Sequence, residues 1–224
     1  MPIAVLLERA RMMSRSLRTV AAAVISTLCL GTAGAAFWYQ DWQYSLPTPR
    51  PDGLWQPALG RSVDVETVLG QAQAGRAIAV HVVDPDCPCS RFNRDHLRSL
   101  VRRFGNRLQF VILVQGSTDP GALRRSFETW DIPAMVIADP GGRRAARLGV
   151  YSTPQAVVLD PEGRLYFRGN YNSSRYCVDR RTEFVRIAIE ALLAGEPLPE
   201  LPREARVAYG CPLRRPATVP TPAL

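Results

Sequence analysis

Cys87-Pro88-Cys89 puts two sulfurs within three residues, where an apolar segment runs into an amphipathic one. With Cys87 as N-cap, Pro88 falls at the first helical position, where its missing N–H costs nothing and its fixed φ suits the helix. A sulfur at a helix N-terminus meets unpaired backbone N–H groups and the positive end of the macrodipole. Both favour thiolate over thiol, and the thiolate is the nucleophile and the soft-metal ligand. Cys177 and Cys211 are two further thiols downstream. A disulfide between those two, clamping the tail, is one reading, and a reserve redox pair is another. Asp84 and Asp86 precede the motif and read as solvated loop acids, although a nearby carboxylate can relay protons to a thiol. His81, in mid-strand among apolar neighbours, reads as a packed histidine. His96, two turns into the helix, reads as too remote from the sulfurs.

The elements around the motif follow from periodicity. Residues 77–83 (Ala-Ile-Ala-Val-His-Val-Val) read as a buried central strand. After the motif, Phe92, His96, Leu97, Leu100, Val101 and Phe104 recur at helical spacing, with arginines on the other faces. A helix is expected over 63–74, a strand over 108–114, and a helix over 119–130 with Asp119 as cap and Pro120 at its first position. A short strand at 134–138, a short helix at 143–148 and a strand at 155–160 come next. Asp160-Pro161-Glu162-Gly163 is a turn signal, returning as a strand at 165–168. A last helix at 182–194 ends at Gly195. Strands alternating with helices, then a hairpin and a helix, predict an α/β fold with a mixed central sheet flanked by helices.

The chain has 224 residues and a formal charge of +8, and every one of its 28 basic residues is arginine. The arginines are spread singly or in pairs, with no dense basic run and no stacking-aromatic motif. Nucleic acid is therefore not an expected partner. Residues 19–40 carry no charge. As a helix they would span about 33 Å, enough for a bilayer core of about 30 Å. Arg9, Arg11, Arg15 and Arg18 precede this run, and Phe37, Trp38, Tyr39, Trp42 and Tyr44 cluster at its far end. Basic flank and aromatic belt predict a single-pass anchor, with the N-terminus in the cytoplasm and the domain exported. A cleaved signal peptide ending at Ala33-Gly34-Ala35 is the competing reading. Cys29 lies within the run and reads as inert. The expected organisation is a basic N-terminus (1–18), anchor (19–40), Pro-rich spacer (41–60), one domain (61–195) and an irregular Pro/Arg-rich tail (196–224). An exported domain is disulfide-permissive. Four cysteines allow three complete pairings, and spacing does not choose among them.

An apolar strand, a cysteine motif opening the next helix, Ser152-Thr153-Pro154 before a strand, an Asp-Pro-Glu-Gly hairpin and a closing helix together resemble the thioredoxin-like superfamily. Within it, the chain is similar to the membrane-anchored redoxins of bacterial envelopes, over about residues 63–194, which implies a bacterial inner membrane with the domain facing the periplasm. The resemblance implies that Pro154 is cis and faces the cysteines, and that Thr153 and Pro154 hold a substrate polypeptide beside the sulfur. It implies Cys87 as the attacking thiol, with Cys89 or Cys177 as the resolving one. The motif departs from the family's usual Cys-x-x-Cys.

The function expected on these grounds is thiol–disulfide exchange on exported proteins, with an unidentified redox partner and no cofactor or bound metal. A copper-binding assembly factor is the alternative, since soft thiolates select Cu(I); its usual Cys-x-x-x-Cys with a following histidine is not matched here. A thiol peroxidase would need a threonine shortly before the nucleophile, where Asp84-Pro85-Asp86 stands. A non-catalytic interaction domain retaining the fold is the remaining reading.

Overall fold

The computed structural model describes residues 3–70, 72, 75–173 and 179–213. The chain divides into two compact units, Met1–Leu46 and Pro47–Leu224. The first is a single helix, α1 (Ile3–Ser45). Its apolar stretch Arg15–Trp42 has the length and composition to cross a membrane.

The second unit is built around β1 (Ile78–Val83), whose six residues are all buried. Ile78, Val80 and Val82 point into one apolar layer and Ala79 and Val83 into the other. With helices on both faces, the strand reads as a continuous apolar run rather than an alternation. β1 pairs in parallel with β2 (Gln109–Val114) and antiparallel with β5 (Gln155–Leu159). β3 (Met135–Ala138) extends the sheet beyond β2, and β6 (Leu165–Gly169) extends it beyond β5, in the order β3-β2-β1-β5-β6. α3 (Pro88–Phe104) buries Leu97, Leu100, Val101 and Phe104 on one face of the sheet. α4 (Pro120–Glu128) and α6 (Phe184–Leu193) bury Leu123, Phe127, Phe184, Val185 and Ile189 in the same layer. α2 (Val65–Leu69) and α5 (Arg143–Arg147) cover the opposite face with Val68, Leu69 and Ala145. This is the thioredoxin-like arrangement.

The elements match their sequence signals closely. Asp119 caps α4 by accepting from the N–H groups of Gly121 and Ala122. The hairpin closes through Gly163, at φ +75°, whose N–H donates to the Asp160 carbonyl. α2 is shorter than periodicity predicts. Gly70, at φ +64°, closes it with its N–H on the Glu66 carbonyl. α6 likewise begins later than expected, after a 3₁₀ turn at Arg180–Thr182.

The segment read as a spacer and the tail read as irregular both make contacts with the domain. In the segment read as a spacer, Leu54 is buried, the Gln56 side chain donates to the Gly149 carbonyl (2.8 Å), and the Pro57 carbonyl accepts from Arg168 (2.8 Å). The tail forms α7 (Arg203–Arg206) and β7 (Cys211–Pro212). Asn170 holds it by donating from its side chain to the carbonyls of Glu204 (2.7 Å) and Val207 (2.5 Å). Gly169 lets the tail come close: a Cβ there would stand 1.8 Å from the Ala205 carbonyl oxygen.

His81 is fully buried on β1, its ring stacked against Phe110 and Tyr171 and its Nδ1 hydrogen-bonded to the Tyr171 hydroxyl. Burial first, and the nearby His96 second, push its pKa from 6.5 down to about 3. The unfolded chain therefore binds a proton below pH 6.5 that the folded chain refuses. The stability from keeping His81 neutral is complete above about pH 6.5 and is lost as pH falls towards 3. Each pH unit in that window removes up to about 1.4 kcal/mol. His96 is also lowered, by burial against the opposing pull of Glu183, and acts in the same direction. Urea unfolding of the full-length chain should therefore show stability falling by about 1–2 kcal/mol from pH 6.5 to 5. His81→Phe should flatten that dependence, and an unchanged slope in the variant would refute the assignment.

Candidate functional site

β1 ends at Val83, and after residues 84–87 the chain enters α3 at Pro88. The turn is held by its own acids: the Asp84 side chain accepts from the Asp86 N–H (2.9 Å), and the Asp84 carbonyl accepts from the Cys87 N–H (3.0 Å). A Cβ on Gly116 would fall 2.8 Å from the Asp84 carboxylate, so that glycine gives the acid its room. Cys87 is the N-cap in extended conformation, Pro88 opens the helix, and the Cys87 carbonyl accepts from the Arg91 N–H (3.1 Å). Cys89 follows at the second helical position, buried at 3% exposure.

Cys87 and Cys89 do not bond to each other. Their sulfurs are nevertheless close, within 4.8 Å. Cys87 is instead in a disulfide with Cys211, 124 residues away, and Cys89 remains a thiol. The three sulfurs lie within 4.8 Å of one another. Pairing of Cys211 with Cys177, one of the expectations above, is thereby replaced. Cys177 itself, the candidate resolving thiol, lies outside the described residues.

Cys211 arrives by backbone pairing. β4 (Ser152–Thr153) precedes a cis Thr153–Pro154 peptide and then β5. β5 runs antiparallel to β1 with Gln155 opposite Val82, which carries the Thr153-Pro154 step to the end of β1 from which α3 departs. β7 then pairs antiparallel with β4, Thr153 opposite Cys211 and Ser152 opposite Pro212. The Thr153 edge, expected to receive a substrate strand, is thus covered by the chain's own tail, and Thr153 is 1% exposed. The tail strand is fixed on both sides of Cys211. The Leu213 N–H donates to the Tyr151 carbonyl (3.0 Å), and the Thr48 hydroxyl donates to the Gly210 carbonyl (2.9 Å). Thr48 N–H also donates to the Ala208 carbonyl (2.8 Å).

Sequence reasoning missed Cys211 as the partner of Cys87. The only local signal is Gly210 before it, at φ +120°, where a Cβ would lie 2.3 Å from the Thr153 carbonyl oxygen. His81 and His96 take no part in the sulfur cluster: His81 is buried and His96 half-buried, and both have lowered pKa values. A copper site of two cysteines and a histidine therefore finds no histidine among the described residues of this cluster.

Gly210→Ala should force the tail strand off β4. Overpacking of this kind costs about 1–3 kcal/mol. In a glutathione redox buffer the Cys87–Cys211 disulfide should be about tenfold less favoured than in the parent chain. Quantitative mapping of non-reduced peptides measures this, and equal occupancy in the two proteins would show that the close approach at Gly210 does not hold the strand.

Residues 58–212 match the model of a family described as a domain of unknown function, DUF6436, and the chain belongs to that family. No curated protein matches the sequence. Among solved structures, an uncharacterized conserved protein from Geobacillus kaustophilus is 18% identical with a TM-score of 0.61, over 78% of this chain and 100% of that one. A hypothetical protein, SMc02350, from Sinorhizobium meliloti 1021 is 20% identical with a TM-score of 0.54, over 64% of this chain and 82% of that one. A secreted Mycobacterium tuberculosis disulfide oxidoreductase, described as homologous to Escherichia coli DsbE, is 20% identical with a TM-score of 0.37, over 41% of this chain and 67% of that one. At these identities the likeness bears on the fold alone.

Proposed function

We propose that this member of the DUF6436 family is a thiol–disulfide oxidoreductase of exported proteins. We place it in a bacterial inner membrane, held by α1 with the domain on the periplasmic side. One observation carries the reading: a disulfide at the N-cap of α3 with a third sulfur, that of Cys89, within 4.8 Å. An inert structural disulfide needs no second thiol beside it, nor a helix terminus that favours the thiolate of one of its halves. In this reading Cys87 and Cys211 are the redox couple. Reduction gives two cysteine thiols, oxidation restores the Sγ–Sγ bond, and two electrons pass in either direction. Cys89 is a local thiol able to exchange with either half, and Thr153 and Pro154 hold the ground beside the couple. The basic residues before the apolar run and the aromatic residues after it support the orientation in the membrane.

A second reading has one observation in its favour. When reduced, Cys87, Cys89 and Cys211 present three sulfurs close enough to ligate one soft cation such as Cu(I). The disulfide between two of the three ranks it below exchange.

Cys87→Ser should abolish turnover in an insulin-reduction or RNase-refolding assay, since every exchange through the couple forms or breaks a bond to Cys87. Wild-type rates in that variant would overturn the oxidoreductase reading. Stoichiometric Cu(I) retained by the reduced chain against a competing chelator, together with no exchange activity, would favour the metal-binding one.

A further inference from the structure

We infer that Cys211 is the sulfur on which an incoming thiol forms its mixed disulfide, and that Cys87 is the leaving group. The inference rests on the oxidoreductase reading above. It reverses the order of events that the helix-start motif alone would give.

Three observations point the same way. The first is access. Cys87 is 5% exposed and Cys89 3%, whereas Cys211 is half-buried and its neighbour Pro212 is exposed. A thiolate arriving from solvent meets the tail's half of the disulfide. The second is the fate of the departing charge. When the Sγ–Sγ bond breaks towards Cys87, the electron pair comes to rest at the N-cap of α3, a helix of 17 residues whose dipole favours an anion there. A sulfur whose thiolate is stabilised leaves faster. Cys211 sits on a two-residue strand and has no helix terminus of its own. The third is the backbone. β7 already uses the Ser152–Thr153 edge, and the Leu213 N–H already uses the Tyr151 carbonyl. No second extended chain can pair there while the tail is seated. The substrate is therefore an accessible thiol that engages by its sulfur, without a β-ladder to β4.

The step balances. The incoming thiolate bonds to Cys211 Sγ as the Cys211–Cys87 bond breaks, and the Cys87 thiolate departs. A second substrate thiolate attacks the substrate sulfur of the mixed disulfide, and the Cys211 thiolate departs. Two thiols become one disulfide, two electrons reach the protein, and the two protons lost by the substrate are matched by those that Cys87 and Cys211 can take up. The tail strand, fixed by Thr48 and Leu213, keeps Cys211 in reach of Cys87 throughout, so reoxidation needs no search.

The test uses the full-length oxidised chain in detergent and glutathione as the probe. A brief exposure is quenched with acid, thiols are blocked with N-ethylmaleimide, and each cysteine is mapped by mass spectrometry. At early times the glutathione adduct should sit on Cys211 with Cys87 alkylated, in excess over the reverse pattern by about tenfold or more. Cys89→Ser, which removes the thiol to which the adduct could migrate, should give the same pattern. Glutathione mainly on Cys87 with Cys211 alkylated, or an even distribution, would overturn the inference while leaving the oxidoreductase reading standing. A disulfide that neither forms an adduct nor opens would overturn both.

Discussion

The polarity of the two neighbours of β1 is the constraint from which the site follows. β2 is parallel to β1, so the connection between them must cross over, and the crossover helix α3 has to start at the C-terminal end of β1. β5 is antiparallel to β1, so the segment entering β5 arrives at that same end. A parallel neighbour on one side and an antiparallel one on the other thus bring the start of a helix and the start of a strand together. Cys87 occupies the first of these positions and Pro154 the second. Neither placement needs a specific contact between them; both are fixed by the register of a strand buried on both faces, where a slip of one residue would exchange its two apolar sides.

The tail adds a third segment to this meeting point. Its attachment is distributed: Asn170 and Gly169 at the end of β6 receive α7, Thr48 receives residues 208–210, and β4 receives Cys211. The disulfide then closes a loop of more than a hundred residues, a cross-link worth about 4–5 kcal/mol in a chain-entropy account. That contribution is present only in the oxidised chain, so redox state and stability of the tail are linked through one bond. The hydrogen bonds at Thr48 and Leu213 involve no sulfur and tie the tail independently of the disulfide.

The sequence made the sheet and its helices legible because each signal was local. The β-branched run before Cys87, the apolar spacing from Leu97 to Phe104 (Phe92, read with it, is exposed), Asp119 before Pro120 and the Asp160–Gly163 turn each act within one element. The cysteine motif and Thr153-Pro154 were legible for the same reason. What stayed hidden was pairing between distant segments. Gly210 marks only that some backbone comes close to Cys211; that it is Thr153 follows once β5 is set against β1 and α7 against β6. The tail's composition, rich in proline and arginine, resembles that of a disordered segment, yet its few apolar groups suffice: Ala205, Ala208 and Leu213 are buried. The spacer is held in a similar way, by buried Leu54 together with hydrogen bonds at Thr48, Gln56 and Pro57 to distant segments.

The histidines narrow the chemistry that remains. His81 lies beneath the sheet end that carries the sulfurs, but its proton sites are shut among Phe110 and Tyr171, and burial keeps it neutral. His96 faces Glu183 at 3.8 Å on the outer helices, away from the disulfide. With both imidazoles outside the sulfur cluster, the helix terminus of α3 is the feature among the described residues that would favour a thiolate at Cys87. A dipole does not titrate, whereas a histidine base would switch off below its pKa. The helix terminus at Cys87 therefore keeps its effect across the pH range, from 6.5 downwards, in which burial of His81 makes the fold less stable.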